Sequence, residues 1–333
     1  MRDINQSQSV LIDFIRGISA QMVLVGHLIG FYTEQQIFIQ NLGVIVFFVL
    51  SGHLVTISAL RLKKLYFNFK FFMIDRFARI YAGLVPAIIV CVIIDIVNIN
   101  IIPIENLLLD INNLNLYSAI ISALNLGGLP NPILIGEIIQ PIGSMRPLWT
   151  VALEWWIYLF LGFLFILINK EKRIAFLFIT ISIILMLVQT IINKNHVGFF
   201  IVNAWLLSSS LILLNQKLRF NIVSLLIAMI IFVLMIYKQG VVHFYDPIYV
   251  LSFVIIYFSS LEVVKNIRFG DFFKKFSKFI SSYSYSLYLL HYTLIVLFKP
   301  LLQTKNIYEI IFIFLVSNIA ALIFYRIFEK RFI

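Results

Sequence analysis

The sequence predicts an all-α, polytopic integral-membrane helix bundle of about ten transmembrane helices, with both termini in the cytoplasm. Three observations predict it. First, 62% of the 333 residues are hydrophobic and only 12% are charged, and the mean hydropathy is +1.01. A soluble domain is about 45–50% apolar and about 25% charged, so this chain carries more apolar surface than one soluble core can bury. Second, the apolar runs are continuous and about twenty residues long, the length of a spanning helix. Strands of a membrane barrel would alternate over about ten residues. Third, the basic residues fall on one side of the resulting topology. Disorder, collagen, a disulfide-rich secreted scaffold and an ordinary soluble enzyme are excluded on composition. The single cysteine, Cys91, lies in an apolar run, so neither an internal disulfide nor a CxxC metal pair exists.

Ten runs qualify as spans: Val10–Tyr32, Phe38–Leu60, Ile80–Ile102, Leu148–Ile168, Ile174–Ile192, Phe199–Leu214, Ile222–Tyr237, Pro247–Leu261, Phe279–Phe298 and Ile307–Phe328. The sixth to eighth are short. With the N-terminus inside, twenty of the 26 Lys and Arg residues lie on the cytoplasmic side. They concentrate between the second and third spans (Arg61, Lys63, Lys64, Lys70, Arg76, Arg79) and before the ninth (Lys265, Arg268, Lys274, Lys275, Lys278). Five lie outside, namely Arg146, Lys194, Lys238, Lys299 and Lys305, and Arg16 lies within a span. A wrong span count would scramble this parity, so the positive-inside rule supports both the count and the orientation. The net charge of +11 therefore reflects topology, and no nucleic-acid partner is expected.

The segment from Pro103 to Pro147 is an outer loop rich in Asn, Gly and Pro. Its apolar stretch Leu114–Leu126 suits a short interfacial helix that caps the bundle. A single domain over residues 1–333 is expected, without a cleavable signal peptide, a fused soluble domain or a strong internal repeat.

Polar residues inside spans are costly and are functional candidates by default. The first span holds Arg16 and His27, eleven residues apart. That spacing is close to three helical turns, which points both side chains one way at about 16 Å separation along the axis. They mark two depths of one polar pathway and cannot touch. Arg16 also has a plainer reading, as a snorkelling side chain paired with Asp13. For His27 the plainer reading is an interhelical hydrogen bond; the chemical one is a general base near neutral pH.

In the second span Ser51 and Gly52 fit close helix packing better than a serine nucleophile. His53 either bonds to a neighbouring helix or joins His27 in a site. Arg76 and Arg79 lie one turn apart, on one face if helical, and suit phosphates; ordinary inner-face charge or contact with anionic lipids fits them equally. Glu154 lies six residues into the fourth span, and a carboxylate there implies a partner such as His27, Arg16 or a substrate. Trp149, Trp155, Trp156 and Tyr158 read as an interfacial belt. Tyr285, Tyr288 and His291 form a stripe at i, i+3 and i+6 that faces the bundle interior, where it either lines a site or joins helices. His196 and His243 read as loop residues, and Asp95 as interfacial. No P-loop, GxGxxG turn or zinc cluster is present.

Taken in order, these motifs resemble the membrane acyltransferase family 3, the integral-membrane O-acyltransferases that modify bacterial surface polysaccharides and other acceptors. Arg16 and His27 match the family's R-x10-H, FFVLSG (Phe47 to Gly52) its second-span motif, and Arg76 and Arg79 its RxxR. LWTVALEWWIYL matches LWSLxxExxFYL and places Glu154 on the glutamate. SYSYSLYLLH matches SYxxYLxH and places His291 at its end. Each motif alone is weak; five in order on a ten-span frame are specific. The chain departs from the pattern at His53, where Phe is usual, at Ala82, where Pro commonly follows RIY, and at Trp155 and Trp156 after the glutamate.

The resemblance implies acyl transfer from cytosolic acyl-CoA, usually acetyl-CoA, to a hydroxyl, in the bacterial cytoplasmic (inner) membrane. His27, Glu154 and Arg16 would be catalytic, with His27 as general base or transient acyl carrier. Arg76, Arg79 and Arg16 would bind acyl-CoA. Trp149, Tyr288, His291 and His53 would contact the acceptor. The expected acceptor is a lipid-linked or nascent polysaccharide such as O-antigen, capsule or exopolysaccharide, with a small-molecule acceptor as the alternative. No metal is expected, membrane lipids surround the chain, and a homo-oligomer is left open. A transporter or flippase of a lipid-linked glycan is the rival from another class. It would show Gly- or Pro-broken helices in paired halves, which the sequence lacks. A polysaccharide polymerase or a non-enzymatic scaffold is a further rival, and a scaffold would have no use for Arg16, His27 and Glu154 within the bilayer.

Overall fold

The computed structural model describes residues 4–33, 39–63, 67–101, 111, 113–127, 139–168, 170–192, 197–214, 220–239, 247–299 and 306–331. Lys64, Lys194, His196, His243 and Lys305 lie outside them. The described residues form helices and connecting turns, with no strand element. The helices are α1 (Gln6–Thr33), α2 (Ile39–Leu62), α3 (Phe69–Ile101), α4 (Leu116–Ala123), α5 (Leu148–Leu167), α6 (Glu171–Ile192), α7 (Val197–Leu214), α8 (Ile222–Gln239), α9 (Pro247–Val263), α10 (Asp271–Ser282), α11 (Ser284–Phe298) and α12 (Ile307–Phe324). A π-turn, Tyr325–Glu329, follows α12.

Six of them are long and apolar enough to cross a membrane: α1, α2, α3, α5, the α9 segment and α12. Shorter apolar helices occupy Gly198–Leu214, Ile222–Tyr237 and Ser284–Phe298. Large apolar side chains stand exposed along α3, α5, α8 and α12. Such faces suit lipid rather than water.

Two boundaries differ from the sequence reading. α3 begins at Phe69, so Arg76 and Arg79 sit in helix well before the expected start at Ile80. The short helix expected within Leu114–Leu126 is present as α4, where the Asn115 side chain accepts from the Ser118 amide as an N-cap. The expected ninth span is divided: Tyr283 leaves helical geometry (φ −109°, ψ 11°) and separates α10 from α11. The physical reason is α10's polarity. Phe273, Ser277 and Ile280 turn inward, Phe272, Phe276 and Phe279 turn outward, and Lys275 and Lys278 stand exposed beside them. A helix with an apolar strip flanked by lysines favours an interface over a bilayer interior.

The chain forms two compact units. The first contains Met1–Val23, Ile37–Phe72 and Leu161–Ser281. Within it α7 packs against α2, α6 and α9, and α8 against α9. The α2–α7 approach is close because Gly52 has no side chain: a Cβ there would lie 2.5 Å from the Trp205 carbonyl oxygen. Ser208 donates to the Val49 carbonyl (2.7 Å), Thr56 and Ser209 share a hydrogen bond (2.7 Å), and the Trp205 indole donates to Ser51 (3.2 Å). Small and hydroxylated residues at a helix contact are the usual glue where no hydrophobic driving force exists. The same unit ties the start of α1 down, with Asn5 donating to Lys265 O (2.7 Å) and Gln8 to Leu261 O (3.0 Å).

The second unit contains Leu24–Gln36, Met73–Phe160 and Ser282–Ile333. Here α11 packs on α12. Ile111 and Leu114 cover Tyr292 and Val296, together with Phe31 and Ile99.

Candidate active site

The second unit gathers His27, Arg76, Arg79, Glu154, Tyr288 and His291, contributed by α1, α3, α5 and α11. The imidazoles of His27 and His291 face each other with ring centroids 5.3 Å apart and planes tilted by 32°. Tyr292 meets His27 edge-on at 5.2 Å and is itself packed on Phe31. The Arg146 guanidinium lies 6.0 Å from the Tyr292 ring. His27 is half-buried, whereas His291 is 1% exposed.

His291 is held by its own helix. Its Nδ1 lies 2.8 Å from the Tyr288 carbonyl and 3.2 Å from the Leu287 carbonyl. Carbonyl oxygens only accept, so Nδ1 carries the hydrogen and Nε2 presents a lone pair. That Nε2 is buried and has no hydrogen-bond partner among the described residues.

Tyr288 joins α11 to the start of α5. Its hydroxyl shares a short hydrogen bond with Thr150 Oγ1 and donates to the Pro147 carbonyl at 3.3 Å. Thr150 is the residue after Trp149, which is half-buried. The stripe Tyr285, Tyr288 and His291 therefore faces the interior, as its spacing predicts: Tyr285 donates to the Ile80 carbonyl on α3 at 3.0 Å.

Glu154 is half-buried, and it accepts a hydrogen bond from the Tyr158 hydroxyl one turn along α5. Tyr158 itself is buried under Arg76, whose guanidinium sits 5.8 Å from the ring centre. It is no interfacial belt residue. It links the glutamate of one motif to the arginine of another, and its i+4 spacing from Glu154 was the available signal. Trp155 and Trp156 also look inward in part: Trp155 packs edge-on against Tyr81 at 5.3 Å, and the Trp156 indole donates to the Asn125 carbonyl at 2.9 Å.

Arg76 and Arg79 do not share one environment. Arg76 is 5% exposed and pairs with Asp75, while Arg79 is exposed.

Two expected site residues belong to the first unit. Arg16 lies 3.8 Å from Asp13, with Ser281 bonded to both, at 3.5 Å from the guanidinium and 3.1 Å from the carboxylate. The plainer pairing with Asp13 is thus present, with Ser281 as an unforeseen third member. His53 is 1% exposed and shares a 2.6 Å hydrogen bond with the Tyr257 hydroxyl, packed on Phe258.

Two buried carboxylates were missed. Asp95, read as interfacial, is 1% exposed and accepts from the amide (2.8 Å) and hydroxyl (3.1 Å) of Ser144, which also bonds to Thr293. Gly143 makes this possible: its φ is +57°, and a Cβ would collide with the Asp95 carboxylate. Glu329, in the π-turn after α12, accepts from the Ser286 hydroxyl at 2.6 Å. Among the described residues no group of three or more His, Cys, Asp or Glu side chains is placed to hold a metal ion.

With the geometry in place, the comparison with known families is decisive over nearly the whole length. The model of an acyltransferase domain, that of membrane acyltransferase family 3, matches residues 10–326. The chain belongs to this acyltransferase family. Comparisons with the curated proteins and with the solved structures give no match. Family membership and the run of apolar helices together make this acyltransferase-family chain a multi-pass membrane protein. The match begins at Val10 and so spans every motif residue from Arg16 to His291.

Proposed function

We propose that the protein transfers an acyl group, acetyl by family expectation, from cytosolic acyl-CoA to a hydroxyl of a cell-surface polysaccharide or its lipid-linked precursor. It would do so from the bacterial cytoplasmic membrane as a ten-span, N-in, C-in bundle. One observation carries the reading: His27 stands against His291 in the compact unit that also holds Glu154, Tyr158 and Arg76. This collects a general base, a fixed carboxylate and a basic group for phosphates from four helices.

In this scheme acyl-CoA approaches from the basic face. Arg79, exposed on the first turns of α3, meets its phosphates, and Arg76 supports that end of the site through Tyr158. His27 takes the proton of the acceptor hydroxyl as general base. Glu154, oriented by Tyr158, fixes the acceptor. Trp149 and Tyr288 complete the acceptor side, and positioning of both substrates supplies much of the rate.

The test is transfer of radiolabel from acetyl-CoA into glycan or lipid-linked glycan, in membranes from cells that hold the native acceptor. Wild type and His27→Ala are compared at matched expression. Label in wild type and none in the variant supports the reading. Label in both removes His27 from the chemistry. No label in either, with acceptor present, moves attention to other acyl donors and then to a glycan transporter.

A further inference from the structure

We propose that His291 is the positioning residue for His27: its Nε2 lone pair accepts the N–H on the His27 ring nitrogen opposite the one that takes the proton of the attacking hydroxyl. The inference rests on the acyl-transfer reading above and deepens it.

Three observations carry it. The tautomer of His291 is set by the Tyr288 and Leu287 carbonyls, which oblige Nδ1 to donate and leave Nε2 as an acceptor. That acceptor is buried and has no partner among the described residues, an arrangement that costs stability unless a donor arrives. The ring beside it is His27, at a centroid separation of 5.3 Å. Two imidazoles joined by an N–H···N bond of about 2.9 Å hold their centroids about 5 Å apart. The separation is therefore compatible with such a bond between the two rings.

The step balances. The hydroxyl oxygen bonds to the thioester carbonyl carbon and its proton passes to His27. The imidazolium needs acceptors for two N–H groups, and His291 Nε2 supplies one. The C–S bond then breaks, the sulfur leaves as the CoA thiolate, and it takes the proton back from His27 as the free thiol. His291 remains neutral throughout. Its role is that of the group that orients a catalytic base and stabilises its charged form, here filled by a second imidazole rather than a carboxylate.

Two substitutions separate this role from a structural one. His291→Gln places an amide oxygen near the Nε2 position and keeps an acceptor for His27. His291→Asn keeps a donor near Nδ1 for the backbone carbonyls and has no acceptor at Nε2. With full-length protein in acceptor-containing membranes and labelled acetyl-CoA, the Asn variant should lose about 30- to 100-fold in rate at saturating acetyl-CoA, the scale of losing a group that orients a reactive one. Its apparent KM for acetyl-CoA should stay within about twofold, since this interaction strengthens as charge develops on His27 in the transition state. The Gln variant should retain several-fold more activity than Asn. If Asn is the more active of the two, or both match wild type, the proposal is overturned while acyl transfer by wild type still stands. If wild type itself transfers no label and His27→Ala matches it, the underlying reading has failed instead. Should Asn fail to accumulate as folded protein, the Gln variant decides alone: strong loss overturns the proposal, substantial retention with unchanged KM supports it.

Discussion

The Tyr158 hydroxyl donates to the Glu154 carboxylate one turn earlier on α5, and the same phenol ring lies beneath Arg76. A hydrogen bond to a charged group contributes about 1.5–3 kcal/mol. Tyr158→Phe keeps the ring and removes that bond, so it should slow transfer and lower stability by no more than about 3 kcal/mol. Tyr158→Ala also empties a buried site and should destabilise by about 3–5 kcal/mol, the cost of an aromatic-to-alanine cavity. Thermal unfolding in detergent beside initial rates checks both; a fully active Tyr158→Phe would show that Glu154 needs no such orientation.

The two arginines of the RxxR motif should behave differently, because one is buried against Tyr158 and Asp75 and the other is exposed. Arg79→Ala should leave stability within about 0.5 kcal/mol, as surface changes do. Its apparent KM for acyl-CoA should rise, and the remaining salt dependence of that KM should flatten. Arg76→Ala should lower the melting temperature, and Arg76→Lys should not fully restore it, because an ammonium does not reproduce the planar guanidinium that sits over the Tyr158 ring. Equal stability for the two alanine variants would contradict the placement.

Between α2 and α7, Gly52 faces the Trp205 backbone, with a built Cβ only 2.5 Å from the carbonyl oxygen. Gly52→Ala should cost about 1–3 kcal/mol as an overpacking substitution. Ser51→Ala loses the 3.2 Å bond from the Trp205 indole and should cost about 1 kcal/mol, with transfer activity retained. Loss of activity in a stably folded Ser51→Ala protein would reopen a serine nucleophile.

On α10 the outward phenylalanines and the lysines beside them suit an interfacial helix. Nitroxide labels at positions 272, 276 and 279 should be relaxed chiefly by oxygen, which partitions into lipid. Labels at 275 and 278 should be relaxed chiefly by a water-soluble paramagnet. The same response at all five positions would place the helix in water or in protein.

Much of the fold was legible because the bilayer imposes length and polarity on each segment separately. Continuous apolar runs predicted helices at α1, α2, α3, α5 and α12, and those helices are present and apolar enough to span. The break at Tyr283 was not legible, because the apolar run of α11 continues into phenylalanines that α10 turns outward. Order and spacing also carried the family, since Arg16, His27, Glu154 and His291 lie in motifs that need no third dimension to compare.

What sequence spacing reports is neighbours on one helix, such as Arg16 with Asp13 or Tyr158 with Glu154. It does not report contacts made across helices, which depend on how side chains pack far apart along the chain. Only the tertiary structure set His27 against His291, separated Arg76 from Arg79 by burial, gave His53 to Tyr257, and buried Asp95 beneath Ser144. The sequence by itself determined a membrane-embedded helical acyltransferase-family chain, because hydropathy and local motifs are properties of single segments. Which polar groups meet was decided by packing, because a buried donor or acceptor must find its partner wherever the fold brings one within about 3 Å.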